Sequence, residues 1–131
     1  MVAAVEGKPT DDRGSLLVVD DNQSVIDAIV FLLRPKGRPV LTARTAREAV
    51  EVFKANADRI AVVLLDLTMP DLDGMTILRL LREHRENVPV LIMSGYSESD
   101  VVQHCEGATG FIQKPFQTSA LMAKIDQALQ G

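Results

Sequence analysis

Residues 60–66 read Ile-Ala-Val-Val-Leu-Leu-Asp, six apolar residues that end in a carboxylate. A short, continuous apolar run of this kind is typical of a strand that helices cover on both faces, as in a parallel sheet. Similar runs stand at 16–19 and 90–93. We therefore predict three central parallel strands, at 16–19, 62–65 and 90–93.

Two weaker apolar runs, at 40–42 and 110–112, complete the predicted sheet. Pro39 stands just before the first of them, and because proline cannot donate to a strand ladder, we place that strand at an edge. Amphipathic stretches separate the strands and predict helices over 24–34, 46–57, 76–85, 98–105 and 119–129. The alternation predicts an α/β fold, a doubly wound five-stranded parallel sheet flanked by five helices, with any ligand site at the carboxyl ends of the strands.

The composition is that of a single globular domain. Of the 131 residues, 47% are apolar and 24% are charged, which is enough for one core of ordinary size. The first 14 residues lack periodicity and are rich in turn-forming types. We therefore predict a flexible lead or linker over 1–14 and one domain over 15–131.

Composition also argues against several kinds of partner. No apolar run approaches the roughly 20 residues needed to cross a bilayer, so we expect no direct membrane contact. The net charge is -4, the basic residues are scattered and the chain has no Trp, so we expect no direct binding of nucleic acid. The single cysteine, Cys105, cannot form an intrachain disulfide, which suits a cytoplasmic location.

Acidic side chains follow two of the predicted central strands. Asp20 and Asp21 follow the first strand, and Asp66 follows the third. Because the carboxyl ends of parallel strands meet at one edge of a sheet, we expect the three carboxylates to converge, at a cost in energy unless a cation compensates. An all-oxygen ligand set favours Mg²⁺, with Mn²⁺ as an alternative, over zinc.

Two further strand ends place polar groups at the same edge. Ser94 follows the fourth strand and Lys114 follows the fifth, so a hydroxyl and an ammonium could bind an anion held near Asp66. Each residue also has a simpler interpretation. Asp20 and Asp21 could be turn and N-cap residues of the first helix, Ser94 a turn residue, and Lys114 a solvated lysine.

Four segments together carry a resemblance to a known family. They are Asp20-Asp21, LLDLTMPDLDGM at 64–75, MSG at 93–95 and GFIQKPF at 110–116. In this order and spacing they resemble the receiver domain of bacterial two-component response regulators, over about 15–129. The resemblance implies the flavodoxin-like receiver fold with strand order 2-1-3-4-5, which agrees with an edge position for the strand after Pro39.

The resemblance also assigns roles to the acidic residues. Asp66 matches the aspartate that accepts a phosphoryl group from a phosphohistidine of a sensor kinase or histidine phosphotransfer protein. Asp21 matches the direct Mg²⁺ ligand, and Asp20 the carboxylate that acts through a metal-bound water. Thr68 matches the residue whose main-chain carbonyl completes the metal site.

The remaining motif residues match the family's switch. Ser94 corresponds to the switch hydroxyl, Lys114 to the phosphoryl-binding lysine and Phe111 to the aromatic residue that changes rotamer on phosphorylation. The resemblance implies a change in the surface formed by the fourth and fifth predicted helices and the fifth strand. The family's lysine-proline bond is commonly cis, so we predict a cis Lys114-Pro115 peptide.

Two other functions fit this topology less well. A metal-dependent phosphohydrolase with Asp66 as nucleophile would want an acid two residues later, where Thr68 stands. A flavin-binding module would need a phosphate-cradling loop after the first strand, where Asp20-Asp21 would repel phosphate. The leading hypothesis is a signalling receiver that is not a turnover enzyme. It is either a stand-alone regulator or part of a larger protein such as a hybrid sensor kinase, with its oligomeric state left open.

Overall fold

The computed structural model describes residues 14–37, 39–67, 74–95 and 107–130. They contain a five-stranded parallel sheet with the strand order β2-β1-β3-β4-β5. The strands are β1 Ser15–Val19, β2 Val40–Ala43, β3 Ile60–Asp66, β4 Val90–Ser94 and β5 Gly110–Gln113. The predicted fold class and strand order are confirmed, and the strand that follows Pro39 lies at an edge as expected.

Within those residues four helices flank the sheet. They are α1 Gln23–Leu33, α2 Ala46–Asn56, α3 Gly74–His84 and α4 Thr118–Gln130, each within two residues of its predicted range. The helix predicted over 98–105 lies outside the described residues, and so do Thr68 and, apart from Gly14, the lead predicted over 1–14. None of the described helices has the length and apolar character that crossing a membrane requires.

Capping residues fix the loops that leave β1 and β2. Asn22 is the N-cap of α1, and its side-chain oxygen accepts hydrogen bonds from two main-chain amides in the first turn. Thr45 caps α2 in the same way, with its Oγ1 3.0 Å from the Glu48 amide nitrogen. After α1, a 3-10 turn over Arg34–Lys36 ends at Gly37, whose φ of 73° is the left-handed conformation that glycine tolerates.

The sheet buries apolar side chains on both faces because successive residues of a strand point to opposite sides. One cluster lies against α2 and α3 and includes Leu17, Val19, Val63, Leu65, Ile92 and Phe111. The other lies against α1 and α4 and includes Leu16, Val18, Leu64, Met93 and Ile112. Every residue of β1 and β4 is buried, which confirms the central placement predicted from their continuous apolar runs.

Candidate functional site

The register of the sheet brings the acidic residues together. Val19 pairs with Leu65, so the residues that follow them, Asp20 and Asp66, stand side by side where β1 and β3 end. One carboxylate oxygen from each of Asp20, Asp21 and Asp66 lies within 4.8 Å of the others. The predicted convergence of the three carboxylates is confirmed.

Lys114 lies between the two buried carboxylates. Its Nζ is 2.8 Å from Asp20 Oδ2 and 3.3 Å from Asp66 Oδ1. Asp20 is fully buried and Asp66 is 2% exposed, whereas 24% of the Lys114 side chain remains exposed. These contacts argue against the simpler interpretation of Lys114 as a solvated surface lysine.

The position of Lys114 affects its own titration. Burial alone would lower the pKa of Lys114, but the hydrogen bond to Asp20 and the negative charges of Asp66 and Asp20 outweigh it. The pKa of Lys114 is therefore raised, and its side chain is a cation throughout the physiological range.

The β1–α1 loop serves two purposes at once. Asn22 caps α1, and its own amide donates to Asp20 Oδ1 at 2.9 Å. Asp20 therefore has the turn role that the simpler interpretation gave it. The second oxygen of Asp20 accepts from Lys114. Asp20 is thus both a turn residue and a member of the charged cluster.

The two residues assigned to the switch lie on neighbouring strands. Ser94 ends β4, is fully buried, and its carbonyl accepts a hydrogen bond from the Lys114 amide at 2.7 Å. Phe111 lies in β5, is 9% exposed and belongs to the cluster against α2 and α3. The Lys114-Pro115 peptide is cis, as predicted. Thr68, the fourth residue of the predicted metal site, is not among the described residues.

Sequence reasoning missed one residue at this edge. Arg44 directly follows β2, and its Nη2 donates to the main-chain carbonyl of Asp21 at 3.1 Å. The same signal that pointed to Asp20, Asp66 and Lys114, a polar residue at the carboxyl end of a parallel strand, would have identified it.

The donor set of the cluster suits a divalent cation. Three carboxylates face one ammonium group, so the site keeps an excess of negative charge. All the candidate ligand atoms in the cluster are oxygens, which hard cations such as Mg²⁺ and Mn²⁺ prefer. The acidic triad therefore fits a divalent metal site.

Comparison with known proteins identifies relatives of the chain. The family model of the response regulator receiver domain matches residues 16–126. A crystal structure of a response regulator receiver domain protein from Clostridium thermocellum has a TM-score of 0.82 at 34% identity, covering 89% of this chain and 94% of that one. A chain of the CheX-CheY-BeF3-Mg²⁺ complex from Borrelia burgdorferi has a TM-score of 0.81 at 29% identity, with 87% of each chain covered.

A curated relative shows how such a domain occurs within a larger protein. The sensor kinase CckA of Brucella abortus is 31% identical over 127 residues, which are 94% of this chain and 13% of the kinase. The chain spans less than half the length of each of the first curated relatives it matches.

Proposed function

The chain belongs to the response regulator receiver domains, and from this membership we propose that Asp66 accepts a phosphoryl group from a phosphohistidine. The donor would be a sensor histidine kinase or a histidine phosphotransfer protein. The observation that carries the proposal is the convergence of Asp20, Asp21 and Asp66, with Lys114 bonded to two of them. A purely structural turn would give no reason to gather three carboxylates around one cation.

The proposed reaction is a transfer between two side chains. A carboxylate oxygen of Asp66 attacks phosphorus, a bond from oxygen to phosphorus forms, and the bond from phosphorus to the imidazole nitrogen of the donor breaks. The bonding electrons stay on the imidazole nitrogen. Asp66 is 2% exposed, so the donor would approach from the side of Asp21, whose side chain is exposed and lies within reach of it.

Lys114 would stabilise the charge that the transfer brings into the pocket. Its Nζ already lies 3.3 Å from Asp66 Oδ1, so a phosphoryl oxygen on Asp66 would come within reach of the same ammonium. The raised pKa of Lys114 keeps that group protonated while it exchanges one oxygen partner for another. Lys114 is thus proposed as a phosphoryl-binding residue rather than a proton donor.

Asp20, Asp21 and Asp66 would hold the metal, together with the main-chain carbonyl of Thr68 that the family resemblance implies. We infer Mg²⁺, with Mn²⁺ as the alternative, from the oxygen-only donors. When bound, such an ion supplies positive charge that offsets the carboxylates and the phosphoryl oxygens. The Borrelia burgdorferi relative is part of a complex that includes Mg²⁺, which supports this choice.

Ser94 and Phe111 are proposed as the switch that reads the modification. Both are buried, and they lie on adjacent strands, since Ile92 of β4 pairs with Phe111 of β5. A phosphoryl group on Asp66 would accept a hydrogen bond from the Ser94 hydroxyl, and the space around Phe111 would change with it. The affected surface would include β5, α4 and the segment predicted as a helix over 98–105.

An apolar groove beside Lys114 supports a protein, rather than a small molecule, as the phosphoryl donor. It lies between α1 and the segment after β5 and is lined by Ser24, Val25, Ala28, Lys114, Pro115 and Phe116. Phe31 lies one helical turn after Ala28 on α1 and is 71% exposed, which is unusual for a large aromatic side chain. We infer that the element carrying the phosphohistidine binds here, with the imidazole directed toward Lys114 and Asp66.

Labelling by a small phosphodonor tests the proposal. An acyl phosphate with Mg²⁺ should add about 80 Da to the wild-type chain, as one phosphoryl group does, and mass spectrometry should locate it on Asp66. The Asp66→Asn variant should gain nothing. Asp58→Asn, which changes an exposed carboxylate in the turn after α2, is the matched control and should be labelled like the wild type. An adduct that persists in Asp66→Asn would end the assignment.

Receiver domains are generally not turnover enzymes, and we propose that this one promotes only its own phosphorylation and dephosphorylation. We propose that it acts either as a stand-alone regulator or within a longer protein such as a hybrid sensor kinase. The cytoplasmic location and the single domain over 15–131 remain predictions from the sequence.

A further inference from the structure

Two hydrogen bonds join the loops that follow β1 and β2 beside the acidic triad. The Asp20 amide donates to the Ala43 carbonyl at 3.0 Å, and Arg44 Nη2 donates to the Asp21 carbonyl at 3.1 Å. The first bond continues the pairing of β1 with β2. The second is made by a side chain and reaches across to the residue that the site uses as a metal ligand.

The backbone of Arg44 is itself held in place. Its amide donates to Glu48 Oε1 at 2.7 Å, and the Glu48 amide donates to Thr45 Oγ1 at 3.0 Å. These two hydrogen bonds, which resemble a capping box, fix the start of α2. Arg44 therefore extends toward Asp21 from an anchored position, even though its own side chain is exposed.

Asp21 differs from the other two carboxylates in what holds it. Asp20 is fixed by Lys114 and by the Asn22 amide, and Asp66 is bonded to Lys114. The carboxylate of Asp21 is exposed and has no hydrogen bond or ion pair to any of the residues that the structure describes. Its position relative to Asp20 and Asp66 thus depends on where the main chain of the loop lies.

We propose that Arg44 is a positioning residue for the metal site, holding the main chain of Asp21 so that its carboxylate stays within ligand distance of Asp20 and Asp66. The inference rests on the proposed function. It assigns Arg44 no contact with the phosphoryl group or the metal.

The positive charge of Arg44 would affect metal affinity in the opposite direction from its hydrogen bond. A cation near the triad repels a divalent metal, so removing that charge alone would tighten metal binding. Loss of a positioning hydrogen bond would weaken it. Arg44→Lys keeps the charge but loses the planar guanidinium, whereas Arg44→Met removes both, so the pair of variants separates the two effects.

The test is calorimetric titration with Mg²⁺ alone. Arg44→Lys should raise the dissociation constant by about 3- to 10-fold, the effect of one hydrogen bond. Arg44→Met should also weaken binding, but by less than Arg44→Lys does. It removes the charge that repels the metal as well as the hydrogen bond, and the first change offsets part of the second. Arg47→Met is the matched control, because Arg47 lies on the outer surface of α2 and pairs with Glu51 at 3.4 Å. It should bind Mg²⁺ like the wild type.

Labelling by acetyl phosphate gives a second readout that a merely structural defect would not reproduce. In Arg44→Lys the half-saturating Mg²⁺ concentration should rise by the same factor, while the rate at saturating Mg²⁺ matches the wild type. A lower saturated rate would overturn the positioning role. So would unchanged binding in Arg44→Lys together with tighter binding in Arg44→Met, because Arg44 would then act only as a repelling charge.

The outcomes also separate this inference from the proposed function. A wild-type chain that binds no Mg²⁺ and takes no label would contradict the proposed function, and the role of Arg44 would fall with it. A wild-type chain that behaves as proposed, with an Arg44→Lys variant that matches it in both assays, would contradict the role of Arg44 alone.

Discussion

Lys114→Met should destabilise the metal-free protein more than any ordinary surface change. The substitution removes the cation from two buried carboxylates, Asp20 and Asp66, whose oxygens lie 2.8 and 3.3 Å from its Nζ. At an effective dielectric constant of 20, two unit charges 2.8 Å apart attract by about 6 kcal/mol, which is an upper bound because both groups lose hydration on pairing. Removing one partner of a buried pair typically costs about 3 to 5 kcal/mol.

We take the low end, about 3 kcal/mol, because 24% of the Lys114 side chain remains exposed. For a domain of this size that corresponds to a fall in melting temperature of roughly 10 °C. The assay is thermal unfolding followed by circular dichroism at neutral pH with a chelator. Lys124→Met, which changes another half-buried lysine, on α4, is the matched control and should change the melting temperature by about 2 °C or less.

Three further results would support the electrostatic explanation. Mg²⁺ should reduce the deficit of Lys114→Met, because a bound cation replaces part of the lost charge. Adding Asp66→Asn should also restore stability in part, as a double-mutant cycle would show. Because the pKa of Lys114 is raised above its ordinary value of 10.5, the advantage of the wild type should be complete below that pH and vanish as pH rises further. The reasoning would be refuted if Lys114→Met and Lys124→Met had the same melting temperature under metal-free conditions.

Three other changes have equally definite outcomes. Asp21→Ala should abolish Mg²⁺ binding in calorimetry. Without metal, its melting temperature should equal or exceed that of the wild type, because the substitution removes a repelling charge. A clearly lower melting temperature without metal would contradict this. Gly110→Ala would place a methyl group 2.8 Å from Cδ2 of the buried Leu91, whose side chain must then shift, so urea unfolding should show a loss of about 1 kcal/mol. An equally stable variant would be evidence against that close approach. Phe31→Ser should slow transfer from any phosphorylated histidine kinase able to label the wild type, while acetyl phosphate labelling stays unchanged; equal slowing in both assays would argue against a docking role.

Much of the fold could be predicted because it depends on patterns that are local in the sequence. The continuous apolar runs at 16–19, 62–65 and 90–93 identified strands buried on both faces, and Pro39 identified the edge strand. The caps at Thr45 and Gly37 likewise depend on chemistry that involves only a few neighbouring residues. In each case the physical cause lies within one turn of helix or one strand.

The candidate site was predictable to the extent that it follows from strand ends. Parallel strands place their carboxyl ends at one edge, so the convergence of Asp20, Asp21 and Asp66 could be expected from the sequence alone. The sequence motifs then supplied the family, and with it the proposed roles of Ser94 and Lys114.

Individual contacts in the pocket were decided only by the tertiary structure. Lys114 is 94 residues from Asp20 and 48 from Asp66, and the choice of which oxygen it meets depends on sheet register and side-chain conformation. The bond from Arg44 to the Asp21 carbonyl spans 23 residues and has no local signal beyond the position of Arg44 after β2. Sequence periodicity determines which residues face the core and which strand ends are polar. Distances of a few ångströms between those ends arise only when the whole sheet is assembled, because they depend on every strand's register and twist at once.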